Sequence, residues 1–149
     1  MSIYEIALFV HILGVVVWLG GAIWLLVIGA GARKGTAEEY MDSFNLTYHA
    51  ASHLMPSAAF MVVLSGIYMV IDAWDFSEPW VSAGLTVFIL SLIAGIFFYT
   101  PEGKRILALT DERGPEDPEV GQRMSRYTNV LRVETLLILV VVLLMIIKP

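Results

Sequence analysis

Apolar and polar positions divide the chain into four long apolar blocks joined by short polar links. The first block runs from Ile6 to Ala32, broken by a single titratable side chain, His11. The lipid-grade parts of the others run from Leu54 to Ile71, Trp80 to Tyr99 and Leu136 to Ile147. Apolar blocks of about 20 residues are long enough to cross a hydrocarbon core as helices. The pattern predicts an all-α fold, an integral membrane four-helix bundle with up-down-up-down order. It forms a single domain over residues 1–149, with spans expected at about 3–32, 47–71, 80–100 and 129–147.

Local signals place the helix ends. Helix one is expected from about Ser2 to Arg33, stopped by Gly35. Thr36-Ala-Glu-Glu39 fits a capping box with Thr36 as N-cap, so the second helix starts near Ala37, outside the hydrocarbon, and reaches about Ile71. Pro56 predicts a kink in it; the alternative is a short interfacial helix followed by a separate span. Thr100-Pro101 interrupts or restarts the third helix, which continues to Arg113 and is closed by Gly114. Asp117-Pro118 opens the fourth, with Asp as cap and Pro at the first helical position.

Composition agrees with the pattern. The chain is 58% hydrophobic and 15% charged, with mean hydropathy +0.76, where soluble domains carry about 45–50% apolar and about 25% charged residues. No cysteine is present, which excludes disulfides, thiolate metal sites and thiol catalysis. Net charge is −5 and no basic stripe exists, which argues against nucleic acid as a partner. The first block lacks a positive leading region and exceeds the apolar core of a signal peptide, so it reads as a retained span. Seven of the nine Lys and Arg residues lie in the links after helices one and three. The positive-inside rule then puts both chain ends outside and the basic links in the cytoplasm.

Candidate chemistry begins at His11. Helical spacing puts His11, Gly14, Trp18, Gly21 and Leu25 on one face, a seam that a neighbouring helix, a flat cofactor or a metal ion can fill. Ionisable groups in spans are costly and face a bundle interior or cavity, which makes His11 a candidate ligand. The alternative is a neutral imidazole bonded across helices to Thr86 or Ser91. His49-x-x-x-His53 sets two imidazoles on consecutive turns, a spacing that lets both hold one ion or that simply serves an interface. Counting turns at ~1.5 Å per residue gathers His49, His53, Tyr99, Asn129, Arg132 and Glu134 in one inner layer. The same count puts His11 further out, opposite about Ala59, with Met61 near its depth. One flat ligand shared by His11 and His53 must then lean between two levels, and the seam reads as the wall of a cavity. Arg132 is placed to hold an acidic group such as a haem propionate, or to snorkel to the interface. Tyr99 and Glu134 suit a proton relay or the orienting of a histidine.

The opening His-x-x-Gly-x-x-x-Trp-x-Gly-Gly, at His11 to Gly21, resembles the first helix of a superfamily of small bacterial membrane proteins. That group includes the copper-resistance D membrane domain, the haem-dependent protoporphyrinogen oxidase and an uncharacterised family of predicted four-span proteins. Phe97 to Pro101 and Leu143 to Pro149 are similar to the matching stretches of the uncharacterised family. The resemblance implies His11 as the signature histidine and haem or copper as its ligand. The chain departs from the oxidase at Leu8, where that enzyme carries a basic residue, and from the copper protein in being one four-helix unit.

Three functions follow as expectations. The first is a haem-b-binding redox or electron-transfer protein, with His11, Gly14, Trp18, His53 and Arg132 around the cofactor. The second is copper handling or transport through His11, His49, His53 and Met61. The third is a non-catalytic subunit of a larger membrane complex. The expected surroundings are the lipid bilayer of the bacterial cytoplasmic membrane, with a homo-oligomer or larger complex as partner. Whether the protein is an enzyme is left open.

Overall fold

A computed structural model describes residues 1–31 and 35–148, and every element among them is helical. Helix α1 is Ile3–Gly31, α2 Ala37–Ala73, α3 Pro79–Ala94, α4 Thr100–Arg113 and α5 Pro118–Ile147. A π-helical turn, Gly95–Tyr99, joins α3 to α4, so four helices are long and apolar enough to cross a membrane. The expected end of the first helix at Arg33 lies outside the described residues.

The helix starts follow from their caps. Thr36 Oγ1 accepts from the Glu39 N–H (3.2 Å) and Glu39 Oε2 from the Thr36 N–H (3.0 Å), the reciprocal pair of a capping box. Asp117 Oδ1 accepts from the Glu119 N–H (2.8 Å), with Pro118 at the first helical position. Helix α2 passes through Pro56 without a break, so the separate interfacial helix is not formed. Pro101 has no N–H to give, and its ring crowds the carbonyl one turn back. The chain widens just before it instead of stopping. The Gly95 carbonyl takes both the N–H of Thr100 and its hydroxyl, the latter at 2.8 Å.

Exposed large apolar side chains mark the lipid-facing band. They run from Ile3 to Val27 on α1, Leu54 to Ile71 on α2 and Val133 to Ile147 on α5. At one end, which holds both Tyr4 and Lys148, the band closes on aromatic residues. Trp74 Nε1 donates to the Tyr4 hydroxyl (3.2 Å), Trp74 meets Trp80 edge-on at 5.1 Å, and Lys148 Nζ sits 4.0 Å from the Trp74 ring centroid. Indole, phenol and ammonium together are interfacial anchors. The opposite, basic end projects beyond the band.

The larger buried core lies in that projection. Met41, Phe44 and Tyr48 of α2 pack with Ile106 and Leu109 of α4 and with Val120, Met124 and Tyr127 of α5. Ile106 is 0% exposed and Leu109 1%. Water drives apolar burial, whereas between lipid-facing helices that drive is absent and small residues set the packing. The two halves of the bundle are built accordingly. Helix α2 spends about 39 Å of axis between Trp74 and Tyr48, and the third span about 30 Å between Trp80 and Thr100. Tyr48 nonetheless bonds the Thr100 carbonyl (2.9 Å), so α2 runs obliquely to the third span. In the membrane half α1 lies along α2, α5 touches both α1 and α3, and α2 and α3 barely meet.

Candidate functional site

Close packing of α1 on α2 positions His11. An added Cβ at Gly14 would lie 2.8 Å from Val62 Cγ2 and 3.1 Å from the Ala58 carbonyl oxygen, and one at Gly21 would overlap the Met55 methyl. The missing side chain at Gly14 therefore admits the α2 backbone itself, and that at Gly21 admits the end of the Met55 side chain. Where the two helices touch, His11 Nδ1 lies 2.9 Å from the Val62 carbonyl oxygen. The Ser65 hydroxyl is 3.3 Å from the same nitrogen and is bonded to the Met61 carbonyl. A carbonyl only accepts, so the bond assigns the ring proton to Nδ1 and leaves a lone pair on Nε2. Among the described residues Nε2 has no hydrogen-bond partner. Gly66 makes room for the ring: a Cβ there would stand 3.2 Å from His11 Cε1.

These contacts revise several expectations. The partner of His11 is the α2 backbone with Ser65, not Thr86 or Ser91; Thr86 bonds its own helix at the Ser82 carbonyl (2.8 Å), and the Ser91 hydroxyl is buried with no partner among the described residues. The level of His11 on α2 is Val62 to Gly66, about one turn beyond Ala59. At Gly14 and Gly21 the seam is filled by a helix rather than open as a cavity wall. Trp18 turns to α3 and meets Phe88 edge-on at 6.0 Å.

His49 and His53 are exposed. Met41, Phe44 and Tyr48 turn inward to build the projecting core, and at about 100° per residue that rotation carries the two imidazoles outward. His49 rests edge-on against Tyr48 at 5.7 Å, and His53 stands at the edge of the lipid-facing band, one residue before Leu54. Val62 is nine residues from His53, about 13 Å along α2, so His11 and His53 cannot share one iron. Among the described residues no three His, Asp or Glu side chains gather as a metal group.

The expected inner layer forms only in part. Tyr99 packs on Tyr127 at 5.1 Å, and its hydroxyl lies beside Glu134. Among the described residues neither that hydroxyl nor Glu134 Oε2, both buried, has an aligned hydrogen bond. Arg132 is exposed, with Nη1 donating to Asn129 Oδ1 on its own helix (3.1 Å). Met61 stays near His11, on the same turn of α2 as Val62. The residues that sequence reasoning missed are Val62, Ser65 and Gly66. A backbone carbonyl leaves no mark in a sequence, but Ser65-Gly66 is a small pair inside a span, where small residues signal close helix approach.

Fold and site together define a multi-pass four-helix membrane protein with a tautomer-fixed histidine inside its first span. Residues 5–149 match the family described as "Predicted integral membrane protein (DUF2269)", and the chain belongs to that family. No curated protein and no solved structure matches it.

Proposed function

We propose that the protein is a haem-b-binding, redox-active protein of the bacterial cytoplasmic membrane, with His11 as an iron ligand. The supporting observation is the contact of Nδ1 with the Val62 carbonyl. Giving one ring N–H to a carbonyl is how ligand histidines are oriented, and an ionisable residue inside a span is functional by default. His11 could supply at most one axial bond, because His53 is exposed on the far side of α2. At Gly14 the helices are too close for a porphyrin to enter between α1 and α2. Haem, when bound, supplies one-electron chemistry; Val62 and Ser65 hold the ring that would hold it. The motif from His11 to Gly21, which resembles the first helix of the copper-resistance D membrane domain and the haem-dependent oxidase, supports this ligand class, and Leu8 favours electron transfer over porphyrinogen oxidation.

One observation favours copper handling as the second reading. Met61 stands on the same turn as Val62, and an imidazole with a thioether suits Cu(I), an ion that needs no gap the size of a porphyrin. One preparation tests both readings, with an absorption spectrum after haem-sufficient expression and metal analysis on the same sample. The expected result is a Soret band that is lost in His11→Ala and kept in His53→Ala. Copper without a Soret band, lost in both His11→Ala and Met61→Ala, selects the second reading. A protein with neither overturns both and leaves the non-catalytic subunit, whose signature is a stoichiometric partner or second copy on purification.

A further inference from the structure

Where α1, α2 and α5 meet at the basic end, they leave a half-open cleft of about 140 Å³ lined by Gly29, Tyr40, Ser125, Thr128, Asn129 and Arg132. The lining residues carry the hydroxyls of Tyr40, Ser125 and Thr128, the last already donating to the Met124 carbonyl (2.9 Å), together with an amide and a guanidinium, and none of the described lining residues is acidic. Gly29 brings bare α1 backbone to the wall: a Cβ there would meet Thr128 Cγ2 at 3.4 Å and the Tyr40 hydroxyl at 3.8 Å.

Arg132 differs from Arg113 and from the other arginines of α5, which are held by carboxylates or an aromatic ring. Arg113 is tied to Glu119, and Arg123 to both Glu102 and Glu119. Arg126 lies over the Phe98 ring at 5.4 Å. Arg132 pairs with no carboxylate among the described residues. Its bond to Asn129 Oδ1 uses one of five guanidinium N–H donors and leaves the Asn129 amide N–H groups free to donate as well. A planar fork of donors matches the oxygens of a phosphate.

The depth of the cleft points the same way. Arg132 directly precedes Val133, the first large exposed apolar residue of the α5 band. Along α5 it is about 24 Å from Lys148, and Ser125 is about 34 Å away. The cleft thus straddles the edge of a ~30 Å hydrocarbon core, from which a long guanidinium side chain reaches toward the headgroup layer that holds the lipid phosphates. Pockets for whole cofactors run to about 300 Å³ or more, so the space suits a headgroup rather than a porphyrin.

We propose that this cleft binds a phosphate group, held by the guanidinium of Arg132 with Asn129 beside it. The chemistry is shared by the phosphodiester of an anionic lipid and by free phosphate. The site stands apart from His11 and does not depend on haem there.

The test uses the purified full chain. Native mass spectrometry reads retention of phosphatidylglycerol, and thermal unfolding in lipid-free detergent reads stabilisation by inorganic phosphate. Arg132→Gln is compared with wild type and with Arg126→Gln, and circular dichroism checks that each variant is folded. Retention about tenfold weaker in Arg132→Gln, with Arg126→Gln unchanged, supports the site with lipid as its source. A rise in melting temperature with phosphate that only Arg132→Gln abolishes supports it with free phosphate as the source. Equal behaviour of wild type and Arg132→Gln in both assays overturns it, as does an equal loss in the two variants.

Discussion

The substitution Gly103→Ala tests whether the core outside the lipid band is as tightly built as its contacts imply. A methyl on Gly103 would overlap Tyr48 Cε2, with Cδ2 at 2.7 Å and Cζ at 2.9 Å. The ring has little freedom to retreat. Its hydroxyl donates to the Thr100 carbonyl (2.9 Å), its face stacks on Phe44 at 5.9 Å, and the residue is buried. Overpacking a well-filled core costs about 1–3 kcal/mol, and losing the hydroxyl bond would add about 0.5–1.5 kcal/mol. Alanine regains about 1 kcal/mol of helix propensity. The expected net loss is about 1–3 kcal/mol.

Gly121 provides the matched control, since it is helical and exposed with nothing within 4 Å of an added Cβ. Gly121→Ala should stabilise by up to about 1 kcal/mol, because only the propensity remains. Reversible unfolding in mixed micelles, followed by far-ultraviolet circular dichroism, measures both. In a Tyr48→Phe background the cost of Gly103→Ala should shrink by roughly the 0.5–1.5 kcal/mol of the released hydrogen bond. If Gly103→Ala is as stable as wild type, or if the two glycine variants match, the argument from ring confinement is refuted.

Other outcomes follow from the helix ends. Thr36→Ala removes half of the capping box and should cost about 1 kcal/mol in the same unfolding assay, with fraying of the first turn of α2 visible as faster amide exchange. Lys148→Ala removes the cation over Trp74 and Trp80, a loss of about 0.5–1 kcal/mol at an exposed site. It should also change the tryptophan emission, and an unaltered spectrum would count against the stacked arrangement.

Much of the fold was legible because its signals are local. Thr36 and Glu39, or Asp117 and Pro118, mark a helix start by side-chain chemistry confined to one turn. The spans were legible because a hydrocarbon core imposes a length on apolar runs. The site was less so. The approach of Tyr99 to Glu134 came from counting turns on two antiparallel neighbouring segments, α3 to α4 and α5, from a shared basic end. The outward rotation of His49 and His53 was hidden because it depends on Met41, Phe44 and Tyr48 finding partners on α4 and α5, distant in sequence. The oblique course of α2 also misplaced His11 against Ala59, since equal counts along tilted helices are not equal depths. Gly14 announced a close neighbour, but whether a helix or a cofactor would fill the gap is settled only by three-dimensional packing.

The wide turn at Gly95–Tyr99 acts as a phase-setter between two environments. A π turn holds one residue more than an α-helix needs over the same rise, worth about 100° of rotation. Before it, the third span turns Trp80, Val81 and Ser91 inward; after it, Gly103, Ile106 and Leu109. The first set is matched to a bundle bathed in lipid and the second to a core surrounded by water. With the extra residue deleted, the helix would run straight on, and the face that receives Tyr48 would swing away from α2. The membrane half and the projecting half can therefore each keep its own angular register. Neither has to be rebuilt when the other changes, so long as this one residue stays in place.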